Sequence, residues 1–396
     1  MKFGKHFAWM VIPGLLMLAS QVGGVGYVAR TYGHAEIVSF QTMLSLWAWT
    51  AVVSMGLDRR ARLFSISLDG LADYKARWQT RFLMCSVAAV AVGWILGTHW
   101  QGGVWTWIAY CLGLVACSLS LAVRDWMYAE GEVLKVNKII SLGFFSAMVC
   151  MAALAWIHAS FGLIALAWFA PHVFIWLRLA LRKGLFLKTS GRSGVQKKIL
   201  DSEDRSEVWY GLQSVGNVAL SSIDVLIVGW LAGDQSVLLK YTIYSRLSFA
   251  AFMFSVNCSA IFVGQSVRLA GLAWRGVFFR CVGVHLIFGL LGMLVLGLMG
   301  PALIKLWLGE TLMLSHSELG FMTMAVFFRS FCEAGSQTFA GKLHVVGAKV
   351  SFCCGVLGLL VFYLSIQAGL GAFEALALAW AFPSVGILGW SLKVGG

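Results

Sequence analysis

Charge is scarce in this chain: Asp, Glu, Lys and Arg make up 12% of its 396 residues, against roughly 25% in an average soluble domain. Those side chains are too few to give a folded body of this size a polar skin. Hydrophobic residues reach 60% and the mean hydropathy is +0.82. A soluble enzyme, a secreted disulfide scaffold and a disordered chain are all excluded. The nine cysteines lie in apolar stretches and no CxxC occurs, which excludes a zinc or disulfide framework and leaves them as small packing residues. No GxxxxGK[ST] loop is present, so the chain by itself is no ATP-driven pump. GxSxG, HExxH and DxD are missing too, and the eight histidines form no pair at helical metal-ligand spacing. No cofactor is expected. The work implied is translocation, not bond chemistry.

What is present is a series of long apolar runs. A spanning helix needs about 20 mostly apolar residues. Twelve candidates occur, at 7–30, 37–57, 82–98, 104–123, 139–158, 162–181, 208–231, 238–262, 279–299, 318–340, 350–367 and 371–391. The runs are long and do not alternate, which excludes a β-barrel. The first begins like a signal peptide, with Lys2, Lys5 and His6 before an apolar stretch, but continues to about Ala29 and is read as a span. Short breaks at 98–103, 159–161 and 368–371 predict antiparallel hairpins. The longest outer loop expected is 300–317. The expected fold is all-α: a polytopic membrane protein of 12 transmembrane helices. Residues 1–181 form one six-helix bundle, 182–207 a cytoplasmic linker and 208–396 a second bundle.

Lysine and arginine set the orientation. With the N-terminus inside, 25 of the 30 basic residues fall on the inner side, so both termini are expected to be cytoplasmic. The net charge of +13 is thus dealt out loop by loop, and no nucleic-acid partner is implied. Six spans precede the linker, so the second half starts in the same orientation as the first. This predicts parallel repeats. Shifted by 200 residues, seven of the 33 positions from 19 to 51 coincide, among them Gly33/Gly233 and Ser45/Ser245.

Ionisable groups in the bilayer core are expensive and mark pathways by default. Asp224 and Arg246 lie about 10 and 12 residues either side of the turn at Gly233–Asp234, hence at one depth, roughly 15–18 Å below it. They are either a structural ion pair or a cavity-facing couple, with Arg246 meeting an anionic substrate and Asp224 taking a proton or sodium ion. Arg329 and Glu333, four apart in the tenth span, share a helix face. They either neutralise each other or form a phosphate-binding guanidinium tuned by its acid. Arg30, near the outer end of the first span, is a third candidate substrate contact, with snorkelling as its simplest role. Arg59, Arg60 and Arg62 follow the second span, either as anionic-lipid contacts or as a vestibule that gathers headgroups. Gly23-Gly24-Val25-Gly26 and Gly289/Gly292/Gly297/Gly300 allow close helix approach. Pro13, Pro171 and Pro383 fall within spans, where they can kink a helix.

The seventh and eighth spans read Ser222-Ile-Asp224-Val-Leu-Ile-Val-Gly229-Trp-Leu-Ala-Gly233, then Lys240-Tyr241 and Tyr244-Ser-Arg246-Leu. Gly56-Leu57 ends the second span and Ala129-Glu-Gly131 follows the fourth. This pattern resembles the polysaccharide transporter branch of the multidrug/oligosaccharidyl-lipid/polysaccharide exporter superfamily, and within it the bacterial O-antigen flippases. The resemblance implies two six-helix bundles around a central cavity in the bacterial cytoplasmic membrane. It implies flipping of a polyprenyl-diphosphate-linked oligosaccharide from inner to outer leaflet, driven by a proton or sodium gradient. Partners would be that lipid-linked glycan, membrane lipids and the polysaccharide polymerase machinery. Arg246 and Arg329 match its cationic cavity, and Asp224 and Glu333 its ion coupling. The alternatives are an ion-coupled small-molecule or multidrug exporter, and a membrane enzyme of glycan assembly, against which the short loops count.

Overall fold

A chain in hydrocarbon must satisfy its backbone N–H and C=O groups internally, so the apolar runs fold as helices. In a computed structural model of the chain, the described residues are 103–129, 132–186, 271–308, 313–342 and 345–394, with shorter stretches inside 12–43, 78–90, 209–216, 223–231, 236–248 and at 255. Seven long helices run through them: α1 Gly103–Ala129, α2 Val133–Trp156, α3 Phe161–Arg182, α4 Gly271–Leu308, α5 His316–Lys342, α6 Val345–Gln367 and α7 Ala372–Val394. Residues 223–231 and 236–245 are also helical, and no strand occurs among the described residues. The chain divides into two units, Met1–Gly211 with α1–α3 and Leu212–Gly396 with α4–α7. Beyond Phe186, the expected linker lies outside the described residues.

Of the seven long helices, all except α5 are long and apolar enough to cross a membrane. They turn large side chains such as Phe174, Leu298, Leu306 and Val385 outward. That surface has lipid for its solvent, and the chain is a multi-pass membrane protein. The helices outrun the expected spans because a helix continues into the interface past its apolar stretch. The largest difference is at 279–299, where α4 covers Gly271–Leu308. At 38 residues it is about 57 Å long at 1.5 Å per residue. The expected outer loop 300–317 is therefore helical to Leu308, with Pro301 inside the helix. Ile304 and Leu308, four apart, are buried there while Leu303 and Leu306 face out, so packing on one side holds the last turns in register.

Among the described residues of the first unit, the α2–α3 hairpin closes on α1, chiefly through α3. Two helix ends in it carry the paired backbone bonds of a left-handed stop. At the end of α3, Leu185 N–H reaches Ala180 O at 3.0 Å and Gly184 N–H reaches Leu181 O at 3.0 Å, with Gly184 at φ 63°. At the end of α2, Ala159 N–H reaches Leu154 O and His158 N–H reaches Ala155 O, each at 3.0 Å. There the left-handed residue is His158, at φ 51°. A side chain in that conformation costs about 1–2 kcal/mol that glycine avoids. His158→Gly is therefore expected to stabilise the detergent-solubilised protein by about 1 kcal/mol, read from its unfolding midpoint. Below the hairpin a buried cluster of Trp78, Leu119, Val123, Met127, Val136 and Trp176 joins α1, α2 and α3.

In the second unit α5 packs mainly against α7 and α4, and α6 packs on α7. The close backbone approach lies at Gly216 and Gly355, outside the glycine runs singled out in the sequence. A Cβ on Gly355 would sit 2.7 Å from Gly216 O and 2.9 Å from Gly216 Cα. Backbone cannot yield as a flexible side chain can. Gly355→Ala is expected to cost about 1–3 kcal/mol by overpacking, measured by denaturation in micelles.

Candidate functional site

Among the described residues, the buried Asp and Arg side chains lie in the second unit. Arg329 stands midway along α5 and is 7% exposed. Its Nε and Nη2 both donate to Glu333 Oε1 at 3.2 Å. The face sharing expected from the i, i+4 spacing is realised as a hydrogen-bonded ion pair. The Arg329 guanidinium carbon also lies 4.9 Å from the ring centroid of Trp380 on α7. An arginine in this setting is held on two sides, by an acid on its own helix and by the indole face of a neighbour.

The other polar groups of α5 are largely satisfied locally. Ser330 Oγ donates to Val326 O at 2.9 Å and Thr338 Oγ1 to Ala334 O at 2.8 Å. Gln213 Nε2 donates to Ser336 O at 3.3 Å. At the N-terminus Ser315 and Glu318 form a reciprocal cap. Ser315 N–H donates to Glu318 Oε2 at 2.7 Å, and Glu318 N–H to Ser315 Oγ at 3.2 Å. The same Glu318 oxygen receives Lys240 Nζ at 2.7 Å. The least apolar of the seven helices is thus wrapped by α4, α6 and α7, and its Glu318, Arg329 and Glu333 are paired within the unit.

Asp224 is 5% exposed, and Tyr241 Oη donates to its Oδ2 at 2.7 Å. Tyr241 lies between Phe373 of α7, ring centroids 5.5 Å apart, and Phe362 of α6, at 6.1 Å. Phe373 and Trp380 are seven residues apart, two turns along one face of α7. The Asp224–Tyr241 and Arg329–Glu333 groups therefore line the same stripe of α7, displaced by about 10 Å along its axis.

Of the residues singled out in the sequence, the structure places Asp224, Arg329 and Glu333 in this unit. Arg30, Arg59, Arg60, Arg62 and Arg246 lie outside the described residues, so the expected Asp224–Arg246 couple does too. Tyr241, Lys240, Glu318 and Trp380 were missed as site residues. Tyr241 could have been found: it lies seven residues after Asp234, near the depth of Asp224 on the facing helix. Trp380 carries no sequence signal, because its contact with Arg329 joins two helices 51 positions apart. No cluster of three metal-ligating side chains occurs among the described residues.

No family model matches the chain, and no curated protein matches it in sequence. Solved structures do match its fold. The MATE multidrug transporter DinF-BH shares it at a TM-score of 0.68 and 13% identity, over 97% of this chain and 93% of that one. An inward-facing multidrug resistance MATE family transporter of the MOP superfamily matches at 0.64 and 12% identity, over 95% and 93%. A MOP superfamily transporter from Pyrococcus furiosus, described by the reverse polarity of its binding pocket, matches at 0.65 and 12%, over 98% and 92%. The fold of this chain is the all-helical, two-bundle fold of those transporters.

Proposed function

We propose that the chain is an ion-coupled membrane exporter of small organic molecules, working by alternating access with both termini in the cytoplasm. The observation that carries the reading is the fold, shared over 95–98% of the chain with solved multidrug transporters. Inward- and outward-facing forms of that fold both match, at TM-scores of 0.64 and 0.65. This favours cargo export over the lipid-linked glycan implied by the sequence resemblance. Asp224 is the coupling acid. As a carboxylate it only accepts, and it takes the Tyr241 hydroxyl proton in a hydrogen bond. Protonation of its other oxygen, or a sodium ion beside it, takes away the charge that strengthens that bond, and the hold on Tyr241 between α6 and α7 loosens with it. Arg329 and Glu333 keep a neutral polar station midway along α5. The test is a host stripped of its own drug pumps. Expression is expected to lower accumulation of a fluorescent organic dye, and collapse of the ion gradients is expected to restore it.

A second reading is supported by one specific observation. Arg329 over Trp380 sets a guanidinium, which suits phosphate, beside an indole, which suits a sugar ring. On that reading the cargo is a polyprenyl-diphosphate-linked oligosaccharide. Its accumulation in the inner leaflet of cells lacking the protein, with dye efflux unchanged, would select it.

A further inference from the structure

The first unit carries a groove that the transport reading does not use. It lies along the α2–α3 hairpin and has a volume of about 960 Å³. Small side chains, Ser146 and Cys150 on α2 and Ala167 and Ala170 on α3, line its length, and Phe174 flanks it. They recur every three or four residues, so each helix gives one continuous face to the groove. From Leu163 to Arg182 the groove runs about 28 Å at helical rise, close to the thickness of the hydrocarbon core.

One end of the groove is charged. Arg178 and Arg182, four apart on α3, line it there, and both are exposed. Among the described residues neither has an acidic partner. Glu132, the described acid near that end, is already engaged: Lys135 Nζ lies 3.0 Å from its Oε1 and Lys183 Nζ 3.6 Å from its Oε2. Lys135 beside it holds the Glu132 carboxyl below the usual carboxylate range, so it stays an anion neutralised by lysines. Among the described residues, two arginines therefore stand without an acidic partner at the mouth of an apolar trough, on the side that the basic-residue count assigns to the cytoplasm.

We propose that this groove is a binding site for an anionic glycerophospholipid of the cytoplasmic leaflet. One acyl chain lies between α2 and α3, and the phosphate is clamped by Arg178 and Arg182. The two features select one chemistry together. A neutral lipid would fill the trough but leave both guanidinium groups uncompensated. A free phosphate would meet the arginines but leave the apolar faces empty. Two basic side chains at a membrane surface favour an anionic headgroup by about thirtyfold.

The test is native mass spectrometry of the full chain in detergent micelles, titrated with phosphatidylglycerol and with phosphatidylcholine. The wild type is expected to retain phosphatidylglycerol with about a thirtyfold preference. Arg178→Gln/Arg182→Gln is expected to bind the two lipids equally. Arg280→Gln/Lys305→Gln removes the same charge from exposed positions of the other unit and is expected to keep the preference. Ser146→Phe, which plugs the trough and leaves the cations in place, is expected to lose bound phosphatidylglycerol. An unchanged preference in the double arginine variant would overturn the proposal, as would equal loss in the control. A protein that runs as a dimer and binds neither lipid until it is dissociated would also overturn it, because a second copy would then cover the groove.

Discussion

Arg329→Ala is expected to abolish transport and to cost about 3–5 kcal/mol of stability, the effect of breaking a buried ion pair from one side. Glu333 would remain on α5 with both donor bonds gone, and Trp380 would face a void where the guanidinium lay. Stability and transport can be separated. Arg329→Met with Glu333→Gln removes both charges and keeps most of the volume. That double variant is expected to recover most of the unfolding midpoint, since a buried pair is often replaceable by apolar groups at little cost. Transport is expected to stay lost. Recovered transport in the double variant would make the pair a structural device only.

Asp224→Asn is expected to leave the protein folded and to uncouple it. The amide keeps the size of the side chain and can still accept from Tyr241, but it can neither ionise nor take up a proton. Gradient-driven flux is expected to fall to background while binding of the cargo survives. Tyr241→Phe removes the donor and leaves the carboxylate. Its expected effect is milder, a change in the pH or sodium dependence of flux rather than its loss. Full coupling in Asp224→Asn would place the coupling acid elsewhere, with Glu333 the next candidate.

The helical architecture was legible because hydrophobicity in a membrane chain reports directly on burial in lipid. The hairpins expected at the short breaks 159–161 and 368–371 are there, with their turns at 157–160 and 368–371, because each break is too short to separate its two apolar runs by more than a tight turn. Helix ends were less so. The stretch 300–317 was expected as a loop because it follows the apolar run, yet tertiary packing of Ile304 and Leu308 carries α4 through its first nine residues. Part of the site was legible too. Arg329 and Glu333 pair through their spacing on one helix, which a sequence displays. Lys240–Glu318 and Arg329–Trp380 join different helices, and only the packing of α5 and its neighbours brings them together. Cargo was the least legible feature, since the motif around Asp224 carries only a resemblance to lipid-linked glycan transporters, and a fold shared at 12–13% identity does not name a cargo.

The measurement that tests the central claim most directly is flux in proteoliposomes holding the purified full chain. A fluorescent organic cation is trapped inside, and a proton or sodium gradient is imposed across the bilayer. The expected result is gradient-dependent release by the wild type that Asp224→Asn does not show. Equal release with and without a gradient, or none by the wild type while a polyprenyl-diphosphate oligosaccharide changes leaflet in the same vesicles, would contradict the exporter.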